Sequence, residues 1–188
     1  MKNFKSIALA FVVALSSLAV TAQTKKVDVS KSTINWVGKK VTGEHSGTVA
    51  IKSGALVFKK KALTGGTFTV DMTTLTATDL TGEYLGKLNG HLKSEDFFGT
   101  EKFPTSTLVF KTIATKAANV YTVNADLTIK GITKPVTFDI TVSEGTATTT
   151  FNVDRTKYDI KYNSKSFFES IGDKAIYDEF ELKVTLKF

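Results

Sequence analysis

The chain contains no cysteine. That excludes a disulfide framework, a thiol nucleophile, a Cys-ligated zinc, an iron–sulfur cluster and a lipid-modified N-terminal cysteine. Only 2 histidines occur among 188 residues, little material for zinc or histidine-relay chemistry. No Gly-x-Ser-x-Gly elbow, Gly-rich phosphate loop or acidic calcium-loop spacing is present. One long apolar run exists, Ile7–Val20, short of the roughly 20 residues that span a bilayer. What remains is a folded composition, 41% hydrophobic and 23% charged, in a length that suits one domain with a core of its own.

Lys2 and Lys5 precede that apolar run, and the small residues of Val20-Thr21-Ala22 follow it, ahead of Gln23. A positive start, a short apolar middle and a small-residue cleavage site read as a secretory signal peptide over residues 1–22, leaving 23–188 as the mature domain. The expected location is the periplasm or the exterior. The formal charge of +7 falls to +5 once Lys2 and Lys5 are removed. Most of the excess is spread along strand-like segments, with one run at Lys59-Lys60-Lys61. No aromatic–basic platform accompanies it, so nucleic acid is not the expected partner.

Period-2 alternation dominates the rest. Tyr121, Val123, Ala125, Leu127 and Ile129 alternate with polar residues, as do Val136, Phe138, Ile140 and Val142. Phe180, Leu182, Val184, Leu186 and Phe188 repeat the pattern. Such strings describe strands with one buried face. Shorter examples lie at Ile34–Val37, Val49–Ile51, Leu56–Phe58, Phe68–Met72, Leu108–Phe110 and Phe151–Val153. Turns are expected at Ser53-Gly54, Gly65-Gly66, Ala118-Asn119, Lys130-Gly131 and Glu144-Gly145, so consecutive strands should pair as hairpins.

Between residues 81 and 93, Tyr84, Leu85, Leu88 and Leu92 follow helical spacing. The pattern predicts a short helical insertion near residues 81–98, ending in an aromatic elbow through Phe97, Phe98, Phe103 and Pro104. The fold class is therefore all-β, a single closed antiparallel barrel of about eight strands. A sandwich also satisfies the alternation, but closure removes both sheet edges. Such an interior either fills with side chains or holds one small apolar ligand. Trp36, Phe68 and Phe138 belong to both readings.

The titratable residues offer little for catalysis. His45-Ser46 and Asp178-Glu179 are strand neighbours that face opposite ways. A metal shared by His45 and His91 lacks a third ligand, so no metal and no catalytic residue is expected. Arg155 is in phase with Phe151 and Val153, and Asp178 with Phe180 and Leu182. If the last two strands pair antiparallel, both charges reach the same barrel end. They form a salt bridge there, or Arg155 meets the anionic head group of a ligand.

The blocks Gly90-His91-Leu92-Lys93-Ser94-Glu95-Asp96-Phe97-Phe98 and Lys102-Phe103-Pro104-Thr105-Ser106-Thr107 resemble the signature of the YceI-like family. So do Ala125–Val136 and Phe151-Asn152-Val153-Asp154-Arg155. The resemblance implies a lipocalin-like barrel, exported in bacteria, that holds a long-chain isoprenoid or other amphiphilic lipid and has transient contact with membranes. It implies no catalytic residues and no cofactor beyond that lipid. By position it places His91, Phe97, Phe98, Phe103 and Arg155 beside the cavity. The full set expected at the interior and mouth is Trp36, Phe68, Leu88, His91, Phe97, Phe98, Phe103, Phe138, Phe151, Arg155, Asp178 and Phe180. The chain departs from the family pattern at Lys31-Ser32-Thr33-Ile34, where His-Ser-x-Ile is common, and at Asp159, where a glycine often stands.

Overall fold

The computed structural model describes residues 21–169 and 171–188. The leader read at 1–22 lies outside them except for its last two residues. Nine strands follow one another: β1 (Gln23–Lys26), β2 (Thr33–Lys40), β3 (Gly43–Lys59), β4 (Ala62–Ala77), β5 (Thr105–Ala117), β6 (Val120–Ile129), β7 (Ile132–Ser143), β8 (Thr146–Asp154) and β9 (Ile176–Lys187). Helix α1 (Gly82–Lys93) separates β4 from β5.

Strands β2 to β9 pair antiparallel in sequence order, and β2 closes the ring on β9 through Trp36↔Leu182 and its neighbours. The result is an eight-stranded barrel, the architecture that leaves no open edge. Strand β1 is the extra one. It pairs with Ala55–Phe58 of β3, beyond the stretch at which β3 pairs with β2. Alternation is obeyed most cleanly in β6, where Tyr121, Val123, Ala125, Leu127 and Ile129 are all buried and the residues between them are not.

Two expected turns lie inside strands. Ser53-Gly54 falls within β3 and Gly65-Gly66 within β4, so the short runs on either side belong to single long strands. The glycines serve close packing instead. A Cβ at Gly54 would stand 2.5 Å from the Phe68 ring, and one at Gly66 2.7 Å from the Phe110 ring. The turn joining β3 to β4 is Lys60-Lys61, both at positive φ (49° and 70°), so the basic run Lys59-Lys60-Lys61 is a hairpin turn.

The meander places the β3–β4, β5–β6 and β7–β8 turns at one end of the barrel. The β2–β3 and β6–β7 turns, α1 with its elbow, and the β8–β9 excursion crowd the other. From mid-barrel toward the first end the interior is packed. Phe68, Phe110, Phe138 and Phe151 form a column with successive centroids 5.6, 5.9 and 4.6 Å apart, the last pair stacked.

Helix α1 lies across the second end. Its Leu85, Leu88 and Leu92 are partly buried against the barrel core. Asn89 ties it to β4, accepting from the Ala77 amide (2.8 Å) and donating to Thr76 Oγ1 (2.9 Å). At its C-terminus Ser94 Oγ donates to the His91 carbonyl (2.8 Å). The elbow then turns on Gly99, at φ 54°, whose carbonyl accepts from the Phe103 amide (2.8 Å).

Candidate functional site

Beneath α1 and its elbow the barrel is not filled. A cavity of about 140 Å³ lies there, smaller than the several hundred Å³ of a typical ligand pocket. Its walls are Ile34 and Trp36 of β2, Met72 and Leu75 of β4, Leu127 and Ile129 of β6, and Phe180 and Leu182 of β9. Leu92, Phe97 and Phe98 roof it. The surface is almost wholly apolar.

The void has a local cause in β2. Ile34 and Trp36 point inward, and the next inward position is Gly38, which adds no side chain. A Cβ built there would meet nothing within 4 Å. The β2–β9 register also slips between Gly38 and Lys40. Tyr177 and Glu179, which alternation would send outward, both reach the cavity at this irregularity, and both are exposed to solvent as well. The opening therefore lies at the start of β9.

Arg155 is 3% exposed and borders the cavity. It does not end a strand, as alternation suggested. Strand β8 stops at Asp154, whose carboxylate accepts from the Thr156 amide (3.0 Å) and caps a 3₁₀ turn, Arg155–Tyr158. The guanidinium is held by main-chain carbonyls: Nε donates to Tyr177 (3.1 Å), Nη1 to Ile160 (2.8 Å) and Nη2 to Ile176 (3.0 Å). Asp178 Oδ1 stands 3.8 Å from Nη2, and Phe97 lies over the guanidinium with its centroid 5.9 Å away. Burial pulls the Arg155 pKa below its ordinary value, and Asp178 and Asp154 oppose that shift. Arg155 thus fastens the β8–β9 excursion to β9 and supports the roof.

Trp36, Phe97, Phe98, Arg155 and Phe180 border the cavity together. Phe68, Phe138 and Phe151 do not; they stand in the aromatic column of the filled end. Leu88 packs on the barrel core without reaching the void. His91 sits at the C-terminal end of α1, edge-on to Phe97 (4.9 Å) and Tyr162 (4.5 Å) and 3.9 Å from Asp96. Phe103 faces the β6–β7 turn, 3.3 Å from where a Cβ on Gly131 would stand, because the elbow reverses at Gly99 and carries it off the cavity. Asp178 accepts from Ser166 Oγ and faces Arg155 rather than the void.

The expected set lacks several residues that line the cavity, Ile34, Leu75, Leu127, Ile129 and Leu182 on its walls and also Gly38, Met72, Leu92 and Tyr177. Of the last four, Tyr177 stands apart. The other three had a signal: two residues on from Trp36, two on from Val70, and four on from Leu88. Tyr177 had none, since only the register slip brings it inward. Two further groups carry chemistry elsewhere. His45 Nδ1 lies 2.8 Å from Asp79 Oδ2, and this contact with the Ser46 amide (3.2 Å) holds the Asp79 carboxyl below its ordinary range against burial, which acts the other way. The Tyr158 hydroxyl is buried without a hydrogen-bond partner, and burial pushes its pKa up to about 12. No cluster of three metal-binding side chains occurs among the described residues.

Solved structures share this architecture. BcnA of Burkholderia cenocepacia superposes with a TM-score of 0.67 at 23% identity, over 85% of this chain and 98% of that one. A polyisoprenoid binding domain from Saccharophagus degradans superposes with a TM-score of 0.57 at 13% identity, over 89% and 97% respectively. A UPF0312 protein of Staphylococcus aureus strain USA300 is 40% identical over 86 residues, 40% of this chain and 47% of that protein. The match thus spans about half the length of that relative. The model of the YceI-like domain fits residues 26–188, which covers all eight strands of the barrel, its helix and its roof: the chain belongs to the YceI-like domain family.

Proposed function

We propose that this protein is an exported carrier or scavenger that holds the apolar chain of an isoprenoid or similar amphiphilic lipid inside its barrel. The observation that carries the reading is the apolar cavity under α1 and the elbow, bordered by Trp36, Phe97, Phe98 and Phe180. Its solved neighbour described as a polyisoprenoid binding domain supports the same ligand class. Burial contributes about 0.8 kcal/mol per CH₂, so affinity needs no elaborate polar site. Arg155 has three main-chain acceptors, and the rest of the wall is almost wholly apolar, with Glu179 at the opening, which favours a ligand gripped by its tail with its head at the opening. Chains longer than the void require the Phe97–Phe98 roof to shift or the tail to leave through the opening. Export follows from the leader, and cleavage after Ala22 would free the chain at Gln23, the first residue of β1. The reading assigns no catalytic step.

A second reading, a stress-related or structural interaction module with a filled core, draws on the aromatic column at the other end. Mass spectrometry of an organic extract separates the two, using mature protein purified from its own bacterial envelope. A stoichiometric isoprenoid or fatty-acyl species is expected. An empty extract, from protein that also fails to take up added prenyl lipid, overturns the carrier reading and favours the module.

A further inference from the structure

Phe167 and Phe168 are 50% and 51% exposed, adjacent, and held outward by a segment that is itself firmly anchored. Ser164 is fully buried and bridges to Ile176, its carbonyl accepts from both Phe167 and Phe168 amides (3.2 and 3.0 Å), and Ser166 Oγ donates to Asp178. The pair therefore stands beside residues 176–178, where the cavity opens, and next to Tyr177, which is half exposed and also lines the void. Between Thr156 and Phe168 three lysines, Lys157, Lys161 and Lys165, outnumber one acid, Asp159; Lys157 pairs with Asp154 (3.8 Å), and the exposed acids Glu169 and Glu179 flank the rings on the other side in sequence. Lys161 pairs with Asp159 (2.7 Å) and lies over the Phe167 ring (5.1 Å), while Lys165 has no carboxylate partner among the described residues. Exposed aromatics flanked by lysines suit the interface of a bilayer, where rings enter the head-group level and ammonium groups meet anionic lipids. The patch is too small for a second copy of the chain, since three half-exposed rings offer about 300 Å² against the roughly 800 Å² per partner of a stable interface.

We propose that Phe167, Phe168 and Tyr177, with Lys161 and Lys165, form a docking surface for an anionic-lipid-containing bilayer, placing the cavity opening against the membrane from which its ligand is taken. The biological role rests on the carrier reading, but docking is measured without any cargo. The test is co-sedimentation of the mature protein with sucrose-loaded vesicles of phosphatidylcholine and phosphatidylglycerol at low salt. Wild type should pellet with the vesicles. Phe167→Ser/Phe168→Ser should lose about ten-fold or more in partitioning, and Lys161→Gln/Lys165→Gln on the order of ten-fold at low salt, a loss that closes as salt is raised. Both variants should keep the wild-type melting temperature and, if the carrier reading holds, the uptake of detergent-dispersed prenol from vesicle-free solution. Wild type remaining in the supernatant overturns the proposal. So does equal pelleting of the phenylalanine variant, or light scattering that shows a dimer abolished by it. Uptake of dispersed prenol that fails while vesicle binding persists would sink the carrier reading and leave the docking surface standing.

Discussion

The two ends of this barrel are made from the same strands with the same alternation, yet one is packed and the other hollow. At the packed end, phenylalanines from β4, β5, β7 and β8 meet ring to ring, and glycines on adjoining strands let them lie against the backbone. At the hollow end a glycine, Gly38, occupies an inward position with no ring to fill its space, and the roof comes from a connection rather than from the sheet. The difference teaches that a glycine in a barrel wall can complete packing or withhold it. What decides is whether the ring facing it from the next strand folds over it: Phe68 covers Gly54, whereas Phe180, the register partner of Gly38, leaves the space above that glycine open.

The comparison can be broken most forcefully at the column. Phe138→Ala should cost about 3–5 kcal/mol in urea unfolding, because its neighbours Phe110 and Phe151 cannot close the gap; the roof substitution Phe98→Ala should cost about 1–2 kcal/mol, since that ring is half-buried and already borders empty space. Equal losses would mean that the two ends are packed alike. Arg155→Met should cost about 3 kcal/mol by leaving three carbonyls without their donor, and Arg155→Lys should rescue little because an ammonium cannot reproduce the planar fork.

The two glycines sharpen the contrast at smaller cost. Gly66→Ala should destabilise by about 1–3 kcal/mol through its clash with Phe110, whereas Gly38→Ala should change stability by less than about 0.5 kcal/mol. Gly38→Phe should keep the fold, since its Cβ would meet nothing within 4 Å and its ring would enter the cavity that Gly38 lines, and should abolish uptake of prenyl lipid in a fluorescence binding assay. The smallest effect is expected at Tyr158. Its folded pKa of about 12 lies above the ordinary value of 10.0, so the neutral form is favoured by folding. That contribution is complete below pH 10 and disappears as pH rises toward 12. Tyr158→Phe should remove this part of the alkaline slope and otherwise leave stability unchanged or slightly raised, since the hydroxyl has no partner to lose.

Much of the fold was legible because β6, β7 and β9 carry uninterrupted alternation and the turns at Asn119, Lys130-Gly131 and Gly145 use residues that accept positive φ. The helix was legible from the spacing of Leu85, Leu88 and Leu92. Strands β3 and β4 were divided wrongly because Gly54 and Gly66 look locally like turn residues, and only the rings across the sheet explain them. The site was partly legible. Trp36 and Phe180 sit on inward strand phases, and Phe97 and Phe98 on the elbow after the helix. Nothing local separates Phe138, in the column, from Phe180, on the cavity wall. That division depends on which residues face them across the barrel, a long-range fact.

Trp36 is the sole tryptophan of the chain and forms part of the cavity wall, so its fluorescence reports directly on what enters. Titrating the mature protein with a long-chain alcohol brominated along its tail should quench Trp36 saturably at one equivalent, and Gly38→Phe should suppress the effect. Emission that stays unchanged, or quenching that rises linearly without saturation in both proteins, would contradict a barrel whose hollow end receives an apolar chain.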